Sequence, residues 1–82
     1  MTINKITVTS ARPDSSTYYI TCSCIPPEHA LHEAEDYARA RGAVAVMLLA
    51  TAPTIAWFTH RGYSFVCRCD EDRSLTYLTK IL

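Results

Sequence analysis

Apolar and polar residues alternate at the start of the chain, with Ile3, Lys5 and Thr7 set against Asn4, Ile6 and Val8. That period of two, with its β-branched content, predicts a strand over 3–9. Pro13, Asp14 and two serines make 11–16 a turn. Alternation returns over 17–25, where Tyr18, Ile20, Cys22 and Cys24 share one face of a second strand. The two strands read as an antiparallel hairpin.

Pro26-Pro27 then changes the period. Proline cannot donate to a β-ladder, but it suits the start of a helix, whose first amides have no partner in any case. Glu28 sits well at the positive end of that helix, and Leu31, Ala34 and Ala38 recur at helical spacing as far as Arg41. Glu35 and Arg39 are expected to pair on the wet face, and Gly42 to form the left-handed C-terminal cap. Ala43 to Ala50 is apolar without alternation, the pattern of a central strand covered on both faces and reached by a parallel crossover. Thr51 is placed to cap a second helix with Pro53 in its first turn, Ile55, Phe58 and Thr59 on one side, and Gly62 as its stop. Tyr63, Phe65 and Cys67 open a further strand, Asp70-Glu71-Asp72 is a charged turn, and Leu75, Tyr77, Thr79 and Ile81 alternate to the end. The order β-β-α-β-α-β-β predicts an α+β domain: a mixed sheet of about five strands with two helices packed on it.

With 82 residues there is room for one small domain. A chain of this size buries only about 60% of its unfolded surface, so its core is marginal. Eight basic and eight acidic residues give zero formal charge with no basic stripe, which argues against a nucleic-acid partner. No apolar run approaches the roughly 20 residues needed to span a bilayer, and the N-terminal residues lack a signal-peptide core, so a cytoplasmic protein without a membrane partner is expected. The cysteines fall as Cys22-Ser23-Cys24 and Cys67-Arg68-Cys69, with His29 and His32 between the pairs. Zinc is one reading of that set. Alternation on a strand is the simpler one, because it puts both thiols of a pair on one face as small buried hydrophobes, and no metal is expected. Consecutive acids in the turn at 70–72 read as solvated, and His60 as a cation suited to a helix C-terminus. No serine lies in a Gly-x-Ser-x-Gly elbow.

Met47-Leu48-Leu49-Ala50-Thr51, followed after Ala52-Pro53 by Thr54-Ile55-Ala56-Trp57-Phe58-Thr59-His60-Arg61-Gly62-Tyr63, resembles the C-terminal half of a GNAT-family N-acetyltransferase. The nearest likeness within that family is to amino-acid N-acetyltransferases of the N-acetylglutamate synthase type. There an aliphatic strand and one or two threonines precede Trp-Phe, two variable residues and Arg-Gly-Phe. The ending Leu78-Thr79-Lys80-Ile81-Leu82 is similar to the family's closing strand.

The resemblance implies transfer of acetyl from acetyl-CoA to a small-molecule amine such as an amino acid. It implies that the strand before the long helix and the next parallel strand splay apart, with acetyl-CoA in the V between them. By that likeness Cys22, Ser23, Cys24 and Ile25, His29 at the helix start, Thr51, and Trp57, Phe58 and Arg61 of the short helix are the candidate coenzyme contacts. Phe58 stands where many members carry a tyrosine that protonates the departing thiolate. Tyr63 and Tyr37 are the phenols nearby, and Tyr63 is the catalytic candidate. The family's Gly-containing pyrophosphate loop is replaced here by Ile25-Pro26-Pro27-Glu28-His29-Ala30-Leu31, without glycine and with an acid where an anion would sit. That difference supports a second reading, a non-catalytic GNAT-like module that binds a partner or itself. A homodimer is expected, because the strand at 3–9 is an edge that invites pairing.

Overall fold

In the computed structural model, which describes residues 2–3, 6–10, 16–22 and 25–82, the chain forms one mixed sheet with two helices. The elements are β1 (Thr2–Ile3), β2 (Ile6–Ser10), β3 (Thr17–Cys22), α1 (Glu28–Ala40), β4 (Ala45–Thr51), α2 (Ala52–Thr59), β5 (Ser64–Arg68) and β6 (Leu75–Ile81). Across the sheet the order is β1-β2-β3-β4-β6-β5, and only β3 and β4 run parallel. The α+β class and the succession β-β-α-β-α-β-β are as the sequence predicts, with one difference at the start. The segment 3–9 is not a single strand: Ile3 stands opposite Ile6, so β1 folds back on β2 and takes the edge. The other edge is β5. The turn expected over 11–16 falls mostly on residues 11–15, outside the described residues.

Both helices end through the same device. Gly42 and Gly62 adopt φ of 89° and 97°, a region that side chains with a Cβ rarely enter. After α1, Gly42 N–H donates to Arg39 O and Ala43 N–H to Ala38 O; after α2, Gly62 N–H donates to Thr59 O and Tyr63 N–H to Phe58 O. This is the Schellman closure, which brings the residue after the glycine against the last turn of the helix. Tyr63 and Phe58 accordingly meet edge-on with ring centroids 5.6 Å apart. The start of α2 differs from expectation. Thr51 occupies the N-cap position but makes no side-chain cap; instead Thr54 Oγ1 donates to Thr51 O at 2.8 Å.

Both helices lie on one side of the sheet. Ala30, Leu31, Ala34 and Ala38 of α1 and Phe58 of α2 share a single core with Ile20, Val46, Leu48 and Leu78. Each fully buried leucine there contributes about 1.5–3 kcal/mol relative to exposure. Among the described residues no helix lies on the opposite side of the sheet. β4 is therefore covered on one face rather than two, and its apolar run conceals an alternation: Leu48 is 2% exposed and its neighbour Leu49 is 38% exposed.

Candidate functional site: a parting seam and an uncharged groove

The seam between β3 and β4 is registered from Thr17↔Ala45 to Ile20↔Leu48 and stops there. Each strand nevertheless runs on, and each keeps its outer neighbour. β3 pairs with β2 as far as Cys22↔Ile6, and β4 pairs with β6 as far as Thr51↔Leu75. The separation is thus confined to one seam, at the C-terminal ends of the two parallel strands. In sequence β3 is followed by Pro26-Pro27, whereas β4 passes directly into α2 through Ala52-Pro53.

On the open side of the sheet this seam adjoins a groove of about 710 Å³. β3 supplies Tyr19, Thr21 and Cys22; β4 supplies Met47 and Leu49; β5 and β6 close it with Cys67 and Tyr77. Among the described residues no carboxylate, ammonium, guanidinium or imidazole lines it. Its polar groups are the hydroxyls of two tyrosines and a threonine, with two thiols. The Tyr77 phenol is held above its ordinary value, first by the negative charge Cys69 acquires on ionising and then by a hydrogen bond with that thiol, with smaller contributions that include the Glu71 carboxylate.

The covered side carries the charge. Glu35, only 4% exposed, accepts from Tyr63 Oη at 2.8 Å on one oxygen and from Lys80 Nζ at 3.0 Å on the other. This corrects the expected Glu35–Arg39 surface pair; Arg39 pairs with Asp36 instead, at 2.7 Å. Burial, then the charge and hydrogen bond of Glu35, push the Tyr63 phenol far above its ordinary range. At the end of α2, Arg61 lies 3.7 Å above the Trp57 ring, donates to Trp57 O at 2.9 Å, and has Nε 3.5 Å from Glu28 at the start of α1.

The residues singled out from the sequence are thereby divided. Cys22 lines the groove and also packs against the covered core, so it reaches both sides of the parting seam. Thr51 is exposed where β4 ends, and Ile25 and His29 are exposed around the start of α1. Ser23 and Cys24 lie outside the described residues. Trp57 is half-buried under Arg61, while Phe58 is 2% exposed between Trp57 and Tyr63, with almost no surface to offer a ligand. Tyr63 is equally buried and bound to Glu35, away from the groove and with its proton held tightly, a poor placement for a donor to a departing thiolate.

Sequence reasoning missed Tyr19, Met47, Leu49 and Tyr77 as groove residues. The alternation of β6 was the available signal, since it sets Tyr77 apart from Leu78. Cys22, Cys67 and Cys69 stand as thiols, and among the described residues no three His, Cys, Asp or Glu side chains gather as a metal-ligand set. Among these residues no helix is long and apolar enough to cross a membrane. No protein-family model matches this chain, and no curated protein sequence matches it.

Proposed function

We propose that the protein is a GNAT-like N-acetyltransferase that takes acetyl-CoA into the slot between β3 and β4 and transfers acetyl to a small-molecule amine. The observation that carries this reading is the ladder that ends at Ile20↔Leu48 while both strands continue to Cys22 and Thr51. A slot of that kind admits an extended pantetheine arm and offers strand amides to a thioester carbonyl. The amine nitrogen attacks the carbonyl carbon and forms the C–N bond. The resulting oxyanion is stabilised by a backbone N–H of β3, and its collapse breaks the C–S bond. The surplus amine proton goes to solvent or to the thiolate, and CoA departs as the thiol. Glu28, already facing Arg61, stands at the helix start where a pyrophosphate would sit, so binding rests on the pantetheine arm and acyl group more than on phosphates. The reading sets the protein in the cytoplasm, where acetyl-CoA is present and thiols stay reduced.

Isothermal titration of the full chain with acetyl-CoA is expected to show micromolar binding, on the order of −8 kcal/mol. Heat no greater than buffer dilution sinks the proposal.

A second reading, a non-catalytic self-associating module, draws on β5. This edge strand is exposed along its whole length, with Phe65 at 66% and Val66 at 42%. Apolar edges invite pairing with another copy, and a homodimer joined there extends the sheet. Light scattering that gives a strict monomer at high concentration overturns it.

A further inference from the structure

The groove on the open side bears on which amine the protein takes, and the inference rests on the acetyltransferase reading above. We infer that the groove binds the apolar or aromatic body of a small primary amine, with the acidic turn between β5 and β6 at its rim, rather than an amino acid with a free carboxylate.

The size is right: about 710 Å³ falls within the roughly 300–1,000 Å³ range of small-molecule sites. The lining chemistry narrows the ligand. Met47 and Leu49 form an apolar floor, and Tyr19 and Tyr77 contribute aromatic rings suited to stacking on an aryl group or facing a cation. A carboxylate in this groove would lose water and gain no cation from the described residues. Among the described residues every basic side chain is committed elsewhere or turned away. Lys80 and Arg61 meet Glu35 and Glu28 on the covered side, Arg39 and Arg73 meet Asp36 and Asp70, and Arg41 stacks on Tyr37. Arg68 is registered with Thr76, which puts it on the covered face rather than beside Tyr77.

The rim carries the opposite sign. Asp70-Glu71-Asp72 joins β5 to β6 between two groove residues, Cys67 and Leu75. Asp72 is engaged by Ser74 and Asp70 by Arg73, whereas the ion pairs of the described residues leave Glu71 without a cation. An apolar groove with an acidic turn at its edge is complementary to an amphipathic amine: the body leaves water, and the nearby acids favour its positive charge.

The test is an NMR titration of the full chain without coenzyme, following the Met47 methyl and the Tyr19 and Tyr77 rings. The probes are 2-phenylethylamine, 3-phenylpropionate and glutamate. The amine is expected to shift these signals with at least about ten-fold higher affinity than the acid of similar shape, and glutamate to leave them unmoved. Equal or tighter binding of either carboxylate overturns the inference, as does an amine that leaves the groove signals in place. Leu49→Lys, at an already exposed position, is expected to weaken amine binding by about ten-fold or more while the fold persists by circular dichroism; unchanged affinity also overturns it. The two readings separate cleanly. If the amine binds and acetyl-CoA gives no heat, the groove assignment stands and the transfer reading falls; if acetyl-CoA binds and the amine does not, only this inference falls.

Discussion

The two sides of the sheet are built from the same strands yet differ in almost every physical respect. Along β4, Leu48 is sealed under the helices and Leu49 looks outward over the groove. Along β6, Leu78 is fully buried in the core while its neighbour Tyr77 lines the groove. The covered side holds the shared core together with the ionic groups of Glu35 and Lys80. The open side mixes aliphatic side chains with threonines and tyrosines, and among the described residues its groove is uncharged. Core and groove side chains are therefore separated by the pleat, one residue apart. In a chain of 82 residues with one small core, that separation lets the groove vary without unfolding the protein.

The separation breaks most visibly in a paired truncation. Leu48→Ala is expected to cost about 2–5 kcal/mol, a large share of a small domain's stability, because it opens a cavity under both helices. Leu49→Ala, identical in chemistry, is expected to cost about 1 kcal/mol or less. Urea denaturation of the two variants measures the difference, and equal losses would show the open side to be as structural as the covered one.

A smaller effect tests the charged part of the covered side. Glu35→Ala strands the Tyr63 hydroxyl in the core, while Lys80, whose side chain is one-quarter exposed, turns toward water. A loss of about 2–3 kcal/mol is expected, intermediate between a lost hydrogen bond and a broken buried ion pair. Glu35→Gln keeps an acceptor for Tyr63 and is expected to recover about 1 kcal/mol of it. As a control, Asp36→Ala removes only an exposed pair with Arg39 and should change stability by about 0.5 kcal/mol or less. Equal costs at Glu35 and Asp36 would remove the special standing of the buried carboxylate.

Some of this was legible in the chain and some was not, for reasons that particular residues make plain. Helix ends were readable because Gly42 and Gly62 report a backbone requirement that is local. The packing of Tyr63 lay in the same signal, since the residue after a capping glycine packs on the helix it closes, whereas the resemblance makes it the catalytic candidate. Glu35 was not readable. It lies four residues after Leu31, on the buried stripe by geometry and on the wet face by chemistry. The partners that reconcile the two, Tyr63 and Lys80, are 28 and 45 residues away in sequence. The unbroken apolar run of β4 implied two covered faces. Only packing reveals that α1 and α2 share a side, and with it that Met47 and Leu49 form a groove. The parting of β3 from β4 was expected only through the resemblance; no single residue type announces where a parallel ladder ends.

The finest test of the difference between the faces is a pH profile. Burial and Glu35 raise the Tyr63 phenol well above its ordinary value of 10.0, whereas in the unfolded chain that phenol titrates near the ordinary value. The folded state therefore keeps a proton that the unfolded state gives up. The stability linked to this group is complete below pH 10 and declines as the pH rises beyond it. Each pH unit above that point is expected to remove up to about 1.4 kcal/mol. Tyr63→Phe costs about 1–2 kcal/mol at neutral pH through the lost hydrogen bond, but it lacks this part of the alkaline slope. Other groups that titrate in the same range are common to both proteins and cancel in the difference. Urea denaturation between pH 8 and pH 11 is thus expected to give curves that converge above about pH 10. Curves that stay parallel to the end of the range would mean that the Tyr63 proton is not held by the folded state, and the covered side would lose its distinction as the place where ionisable groups are locked.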